Sequence, residues 1–152
     1  MPDIIERNPK TLSQDDFQAS FSGAIILTAS NQLLLQQRSD QTRSFPGYLS
    51  MFGGKIEDNE TPTQALIREL HEELGAKIQA NQVVFLGALT ESISNHKDLI
   101  YEFFWHDKED QITGCFEDTP AYFKSIEAVY QHPKPMQDIF WSLKRCKTLG
   151  VL

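Results

Sequence analysis

The sequence predicts an α/β protein in which helices cover a mixed β-sheet. Apolar, β-prone segments occur in pairs around short polar turns, and amphipathic helical segments are set among these pairs. The 152 residues, of which 40% are hydrophobic, suffice for one cored domain and are too few for two. We therefore expect a single domain over residues 1–152, with residues 1–19 as a lead-in strand or loop.

Two pairs of strands are predicted. Residues 21–30 (FSGAIILTAS) and 32–38 (QLLLQQR) flank a Ser-Asn turn, and residues 82–92 and 99–106 flank the polar stretch SNHKD. Pro46-Gly47 makes the segment after the first hairpin a loop. A weaker strand is predicted over residues 112–117. Antiparallel hairpins among helices favour a mixed sheet.

The first predicted helix has well-marked ends. Thr61 and Gln64 form a capping box, Pro62 occupies the first helical position, and Gly75 marks the end, which predicts a helix over residues 62–74. A second helix over residues 136–147 is indicated by the apolar stripe of Ile139, Phe140 and Leu143. A shorter helical turn is expected over residues 125–131.

Composition excludes several classes of function. With 21 acidic and 14 basic residues, the net charge of -7 disfavours binding of duplex nucleic acid through its phosphates. Neither an apolar run of about 18 residues nor a signal peptide is visible, so we expect a soluble, cytoplasmic protein without membrane association. Cys115 and Cys146 lack the spacing of a disulfide framework or a zinc site and are expected to be reduced.

Three carboxylates share one face of the first helix. At about 100° per residue, Glu69, Glu72 and Glu73 fall within an arc about 100° wide. Ile67, Leu70 and Leu74 are expected to pack against the sheet from another face. Like charges four residues apart destabilise a helix by a few tenths of a kcal/mol, and a divalent cation would offset this.

Oxygen ligands of this kind suit a hard cation, Mg²⁺ or alternatively Mn²⁺, that meets phosphate oxygens of a substrate. Gly53-Gly54 lets the backbone approach such a ligand, and a carbonyl there is a further candidate ligand. A glutamate-rich helix alone is usually only a solvated face. However, the segment also has a fixed pattern of seven glycine, acidic and arginine residues: Gly54, Glu60, Arg68, Glu69, Glu72, Glu73 and Gly75. At ordinary amino-acid frequencies, these seven identities would occur together by chance with a probability on the order of 10⁻⁸ to 10⁻⁹.

The segment Gly54 to Ala76 resembles the signature box of the Nudix hydrolases at every acidic, arginine and glycine position, and departs from it only at Ala76. The resemblance, closest to the MutT-like nucleoside triphosphate pyrophosphohydrolases, implies an α/β/α sandwich. It also implies hydrolysis of a nucleoside diphosphate linked to another moiety, with water attacking phosphorus.

The resemblance also implies roles for individual residues. Glu69, Glu73 and the Gly54 carbonyl would be metal ligands, and Glu72 a further ligand or the general base. The supporting residues Glu60 and Arg68 would pin the loop to the helix and orient the catalytic glutamates.

The position of the general base differs within the family, and several members place it in a loop after the box. The candidates in this sequence are Glu117, which is preferred, and Asp118.

Substrate contacts are less well marked. Arg38 ends the second strand and is a candidate phosphate contact. Phe52 is one of several aromatic candidates for stacking on a base, with Phe45, Tyr48, Phe103, Trp105 and Tyr122. Met136 is a third candidate substrate contact, because it occupies the position from which an asparagine reads the base in the oxidised-guanine sanitiser. A methionine there argues against recognition of 8-oxoguanine.

A nucleoside triphosphate is the leading substrate. Nucleotide sugars, dinucleoside polyphosphates and a non-catalytic nucleotide-binding function remain alternatives, and an isomerase that uses a catalytic cysteine is disfavoured. Dimers are frequent in the family, and by that analogy alone a homodimer is a candidate assembly for this protein.

Overall fold

The computed structural model describes residues 2–152, which form a mixed sheet with helices on both faces. The strands are β1 (Ile4–Arg7), β2 (Ala19–Leu27), β3 (Leu33–Gln37), β4 (Leu49–Ser50), β5 (Phe52–Lys55), β6 (Val83–Glu91), β7 (Asp98–His106) and β8 (Thr119–Phe123). The helices are α1 (Pro62–Leu74), α2 (Ile126–Tyr130) and α3 (Gln137–Leu149).

The sheet has the order β1-β6-β7-β2-β3-β4, with β5 paired to β2 and β8 paired to β3. β2 and β7 are parallel over nine positions, from Ala19↔Asp98 to Leu27↔His106. The other strand pairs are antiparallel, including both predicted hairpins. The β2–β3 hairpin opens beyond its turn, and β4 and β5 fill the gap by pairing with β3 and β2 respectively.

Helices cover both faces of the sheet. The buried face of α1 presents Leu66, Leu70 and Leu74 to the core on one side, where Trp105 is fully buried. On the other side α3 packs through its own buried residues Ile139, Leu143 and Cys146. The predicted α/β/α sandwich with a mixed sheet is confirmed. It has two hydrophobic cores, one between α1 and the sheet and the other between α3 and the sheet.

The ends of α1 lie where the sequence predicts them. The Thr61 hydroxyl accepts from the Gln64 backbone N–H at 3.1 Å, and the Gln64 side chain accepts from the Thr61 N–H at 2.9 Å. Gly75 ends the helix with φ 70°, the left-handed conformation that glycine adopts readily. Leu70 and Leu74 are fully buried, and Ile67 packs against the margin of the same core, as predicted; Leu66, which the prediction did not include, is fully buried as well.

The strand predicted over residues 112–117 is absent from the described residues, and strand β8 follows instead at Thr119. The segment 112–117 is a loop attached to the end of α1. The N–H of Thr113 donates to the Leu74 carbonyl and that of Phe116 to the Glu73 carbonyl, each at 2.9 Å. These bonds satisfy carbonyls that the helix end leaves free.

Other segments follow the prediction closely. The lead-in contains β1, which pairs with β6, and its first residue, Met1, lies outside the described residues. α3 begins one residue later than predicted, with Met136 as its N-cap, and continues to Leu149. Cys115 and Cys146 are free, as expected. Within residues 2–152, no helix has the length and apolar character needed to cross a bilayer.

Candidate active site

The acidic face of α1, which carries Glu69, Glu72 and Glu73, lies directly against the two glycines of β5. A Cβ on Gly54 would lie 2.5 Å from Oε1 of Glu69, and a Cβ on Gly53 would overlap the Ser22 carbonyl oxygen. Gly53 also has φ 145°, a conformation that L side chains rarely adopt. The glycines therefore allow α1 to approach the sheet closely enough for its glutamates to meet the β5 backbone.

Glu73 is the most buried carboxylate of α1, with an exposed fraction of 1%. Its Oε1 accepts the Gly53 N–H at 2.9 Å. Burial, followed by the negative charges of Glu69 and Glu117, raises the pKa of Glu73 to about 9. A positive charge at this position would remove the cost of ionising it.

Arg68 clamps the loop to the helix. Its Nε and Nη2 donate to the two carboxylate oxygens of Glu60 at 2.7 and 2.9 Å, and Nη1 donates to Oε1 of Glu69 at 2.8 Å. Nη2 also donates to the Lys55 carbonyl at 2.9 Å. The bidentate pairing of Arg68 with Glu60 lowers the pKa of Glu60 to about 2 and raises the pKa of Arg68. The arrangement matches the supporting role that the resemblance implied for both residues.

Glu69 and Glu72 complete the acidic face. Burial raises the pKa of Glu69, against the lowering effect of its hydrogen bond from Arg68. The Glu72 side chain is 49% exposed, with an oxygen 3.5 Å from Nη1 of Arg68. Glu69 is therefore held in a fixed orientation, whereas Glu72 keeps access to solvent.

The loop after α1 brings Glu117 to this face. Phe116 is bonded to the Glu73 carbonyl, and the charge of Glu117 raises the pKa of both Glu69 and Glu73. The neighbouring Asp118 instead accepts from Nε2 of Gln36 at 3.1 Å. Of the two candidate bases, Glu117 is thus the exposed one near the acidic face, and Asp118 is engaged in holding the loop.

The donor set fits a hard divalent cation. Within residues 2–152, no three His, Cys, Asp or Glu side chains converge as a closed metal site would require. Mg²⁺ needs fewer protein ligands, because it keeps several waters and binds substrate phosphates. Gly54 has no side chain and lies next to the Glu69 carboxyl group, so the atoms available there as metal ligands are oxygens. Glu69, Glu73 and the Gly54 carbonyl are the groups that would hold the ion.

A cavity of about 230 Å³ lies on the α3 side of the sheet and reaches Gly53 and Gly54. Arg38 and Met136, both predicted substrate contacts, line it. Nε of Arg38 donates to the Ser44 carbonyl at 2.8 Å, which attaches this strand end to the loop. The cavity therefore connects the Gly53-Gly54 segment with Arg38 and Met136.

The prediction for Phe52 was wrong. Its side chain is fully buried in the core beneath α1, as are nearly all of Phe103 and Trp105, so these rings cannot stack on a substrate. Phe45 does line the cavity, with φ 48° and its ring 5.9 Å from that of Tyr48. A positive φ on an aromatic residue stores backbone strain, which is common at functional sites.

Sequence reasoning missed two residues that line the cavity, Glu91 and Asp138, and a third acid behind them, Glu102. All three are buried. A signal for Glu102 was present, because it interrupts the apolar strand LIYEFFWH, and an acid in such a strand must be paired or protonated.

Comparison with known proteins identifies the family. The profile of the NUDIX domain matches residues 18–139. A CTP pyrophosphohydrolase from Escherichia coli (strain K12) is 32% identical over 117 residues, which are 76% of this chain and 83% of that enzyme. An 8-oxo-dGTP diphosphatase from Proteus vulgaris is 38% identical over 64 residues, which are 42% of this chain and 56% of that enzyme.

A solved structure supports the same assignment at the level of the fold. The MutT protein from Methanosarcina mazei Go1 has a TM-score of 0.70 with 16% identity, covering 90% of this chain and 98% of that chain. The chain therefore belongs to the Nudix family of hydrolases, enzymes that cleave pyrophosphate bonds.

Proposed function

We propose that the protein is a Mg²⁺-dependent pyrophosphohydrolase of nucleoside triphosphates, with Mn²⁺ as an alternative ion. The observation that carries the proposal is the complete glutamate set, with Glu69 bonded to Arg68 and Glu73 bonded to the β5 backbone beside an open cavity. A scaffold without catalysis would not need buried carboxylates with raised pKa values at this position.

The relatives support a triphosphate substrate. The two curated relatives described above are named for activity on CTP and on 8-oxo-dGTP, both nucleoside triphosphates. The cavity that adjoins Gly54 has Arg38 in its wall, and this cation is available to the substrate phosphates. Every residue that the proposal uses belongs to one chain, so it does not depend on the homodimer seen among family members. We also propose that the protein is located in the cytoplasm.

We propose the following division of chemical roles, which the geometry supports. A bound divalent cation supplies charge stabilisation at the phosphoryl oxygens and acidifies the attacking water. Glu69, Glu73 and the Gly54 carbonyl would hold that ion, and Arg68 fixes the orientation of Glu69. Water adds to phosphorus while the phosphoanhydride P–O bond breaks, and the exposed Glu117 accepts the proton that the water loses. Glu72 is the alternative acceptor for that proton.

Hydrolysis of a nucleotide panel tests this function. We expect turnover of at least one nucleoside triphosphate with Mg²⁺, loss of turnover with a chelator, and recovery when excess Mg²⁺ is added. The panel includes nucleotide sugars, dinucleoside polyphosphates and ADP-ribose, so that a different best substrate redefines the subclass. Nucleotide binding without turnover of any compound would favour the non-catalytic alternative.

Glu117→Gln tests the assignment of the base. Because general base catalysis contributes roughly 10²- to 10⁴-fold, kcat is expected to fall by at least about 100-fold while Mg²⁺ affinity stays within about threefold. Steady-state kinetics and a Mg²⁺ titration measure the two effects. Asp118→Asn is the matched control and is expected to have a much smaller effect on kcat. An unchanged kcat in Glu117→Gln assigns the base to Glu72 instead.

A further inference from the structure

The segment that carries Glu117 is fixed to the rest of the protein on both sides of that residue. On the N-terminal side, the Phe116 N–H donates to the Glu73 carbonyl at 2.9 Å. On the C-terminal side, Nε2 of Gln36 donates to Oδ2 of Asp118 at 3.1 Å. Glu117 itself is exposed, so its position depends on these two anchors.

The anchor at Asp118 connects a tight turn to a rigid strand. The Cys115 thiol donates to the Asp118 carbonyl at 2.7 Å, which closes the turn around residues 115–118. Gln36 lies in β3, with an exposed fraction of 6%, and pairs with Ser50 of β4 on one edge and with Pro120 of β8 on the other. Because groups held on paired strands are placed more precisely than groups on loops, β3 supplies the fixed end of this anchor.

Packing of β3 gives no reason for an amide at residue 36. The strand begins with three buried leucines, Leu33, Leu34 and Leu35, and a further apolar residue would fit the same surroundings. A buried amide without a hydrogen-bond partner costs free energy, and Asp118 supplies the acceptor that Nε2 of Gln36 needs. Gln36 also lines the cavity beside Gly53 and Gly54, so it contacts both the cavity and the Glu117 loop.

We propose that Gln36 is a positioning residue for the hydrolytic reaction, which holds Glu117 beside the acidic face of α1 through its bond to Asp118. This inference rests on the proposed function, in which Glu117 accepts a proton from the attacking water. Gln36 does not touch the reacting atoms and acts only through Glu117. Because misplacing a catalytic group by about 1 Å costs roughly 100-fold in rate, losing this anchor should lower kcat by about 10- to 100-fold.

Exchange of donor and acceptor tests the bond between Gln36 and Asp118. In Gln36→Glu two carboxylates face each other without a proton between them, so the bond is lost and kcat should fall by at least about 10-fold. In Gln36→Glu/Asp118→Asn the new amide donates to the new carboxylate, and kcat should return to within about threefold of wild type. Both variants carry the same added carboxylate beside the cavity, so an effect of that charge on KM is common to them. Gln36→Leu removes the bond without adding a charge and should lower kcat as well.

Combination with Glu117→Gln separates positioning of the base from a general structural role. Because Gln36 acts through Glu117, Gln36→Glu should lower kcat by at least about 10-fold in the wild-type protein but by less than about twofold in Glu117→Gln. A variant that only weakens the fold would lower kcat by the same factor in both backgrounds, and that result overturns the proposal. Gln32→Glu, in the turn before β3, adds the same charge away from the cavity and is the control.

Modification of Cys115 by a maleimide reports on the loop without any turnover. Cys115 belongs to the anchored turn, whereas Cys146 is fully buried in the core under α3 and serves as an internal reference. Loss of the anchor should free the turn, so the modification rate of Cys115 in Gln36→Glu should rise by at least about fivefold. The rate should return to the wild-type value in Gln36→Glu/Asp118→Asn. Mass spectrometry of the two cysteine peptides measures both rates.

The outcomes distinguish the two proposals. Turnover with an unchanged kcat in both Gln36→Glu and Gln36→Leu overturns the positioning role and leaves the hydrolase function intact. No turnover, with Cys115 modified faster in Gln36→Glu and at the wild-type rate in the double variant, overturns the hydrolase function and supports the anchoring of the Glu117 loop by Gln36. Absence of turnover together with unchanged Cys115 rates overturns both. A kcat in the double variant as low as in Gln36→Glu also contradicts the role of the bond to Asp118.

Discussion

Glu73→Gln is expected to lower kcat by at least about 1000-fold and, at the same time, to stabilise the metal-free protein at alkaline pH. The activity is lost because a neutral amide is a poor ligand for a hard cation. The amide oxygen can still accept the Gly53 N–H, which Glu73 accepts at 2.9 Å, so the local structure should be kept. Kinetics with saturating Mg²⁺ measure the first effect and thermal unfolding measures the second.

The direction of the stability change follows from proton binding. The Glu73 pKa is about 9 in the folded protein and 4.5 ordinarily, so the folded state binds more protons between these values. Stability from this group is therefore full below about pH 4.5 and is lost progressively as the pH rises to about 9. Glutamine does not titrate, and over the 3.5 pH units from 4.5 to 8, at about 1.36 kcal/mol per unit, its gain is on the order of 5 kcal/mol, or roughly 10 to 20 °C in Tm. Bound metal should abolish this difference.

The exposed variant Glu127→Gln is the control for Glu73→Gln, since it removes a carboxylate from the surface without changing the site. A Glu73→Gln protein with near wild-type kcat would remove Glu73 from the metal ligands. A Tm that does not rise between pH 7 and pH 9 relative to wild type would show that the buried carboxylate costs the metal-free protein nothing.

Gly54→Ala and Gly53→Ala should fail for different reasons. The new Cβ at residue 54 displaces the Glu69 carboxyl group, which can rotate away but loses its bond from Arg68. We expect kcat/KM to fall by at least about 100-fold with Tm within a few degrees of wild type, because misplacing a catalytic group by about 1 Å costs roughly that much.

At residue 53 the new Cβ meets the Ser22 backbone carbonyl, which cannot rotate away, and φ is 145°. We expect a loss of about 4 kcal/mol or more of unfolding free energy, seen as insoluble protein or a strongly lowered Tm. Circular dichroism melting and kinetics on both variants separate the two effects. A Gly54→Ala protein that unfolds as readily as Gly53→Ala would mean that residue 54 serves packing rather than the chemistry.

The sequence was informative wherever local physics decides the outcome. The capping box at Thr61 and the left-handed Gly75 fix α1 within the chain itself, so its bounds were predicted correctly. The spacing of Glu69, Glu72 and Glu73 likewise follows from the geometry of one helix. The prediction of a strand over residues 112–117 was wrong. The apolar residues Ile112 and Cys115 pack against the core, but the backbone of the segment bonds to the end of α1, about 40 residues earlier, instead of to a strand.

The cavity side of the candidate site depends on long-range geometry. Glu91, Glu102 and Asp138 come from three elements, and no spacing in the sequence reveals that they meet. Phe52 was misassigned because β5 turns it towards the core, while Phe45 faces the cavity from the preceding loop. Which face a strand residue occupies depends on strand register, which one sequence leaves undetermined.

The parallel seam between β2 and β7 has a consequence for the folding rate. It joins residues 79 positions apart, from Ala19 and Asp98 onward, whereas both hairpins are local. Closing so long a loop costs entropy before any contact rewards it, so the seam is expected to form late in folding. The strand–helix segment with Glu69, Glu72 and Glu73 lies on one side of this seam, and β6, β7 and α3 lie on the other. A nucleotide that spans both would bind only the closed chain and would slow unfolding by bridging the last contact to form.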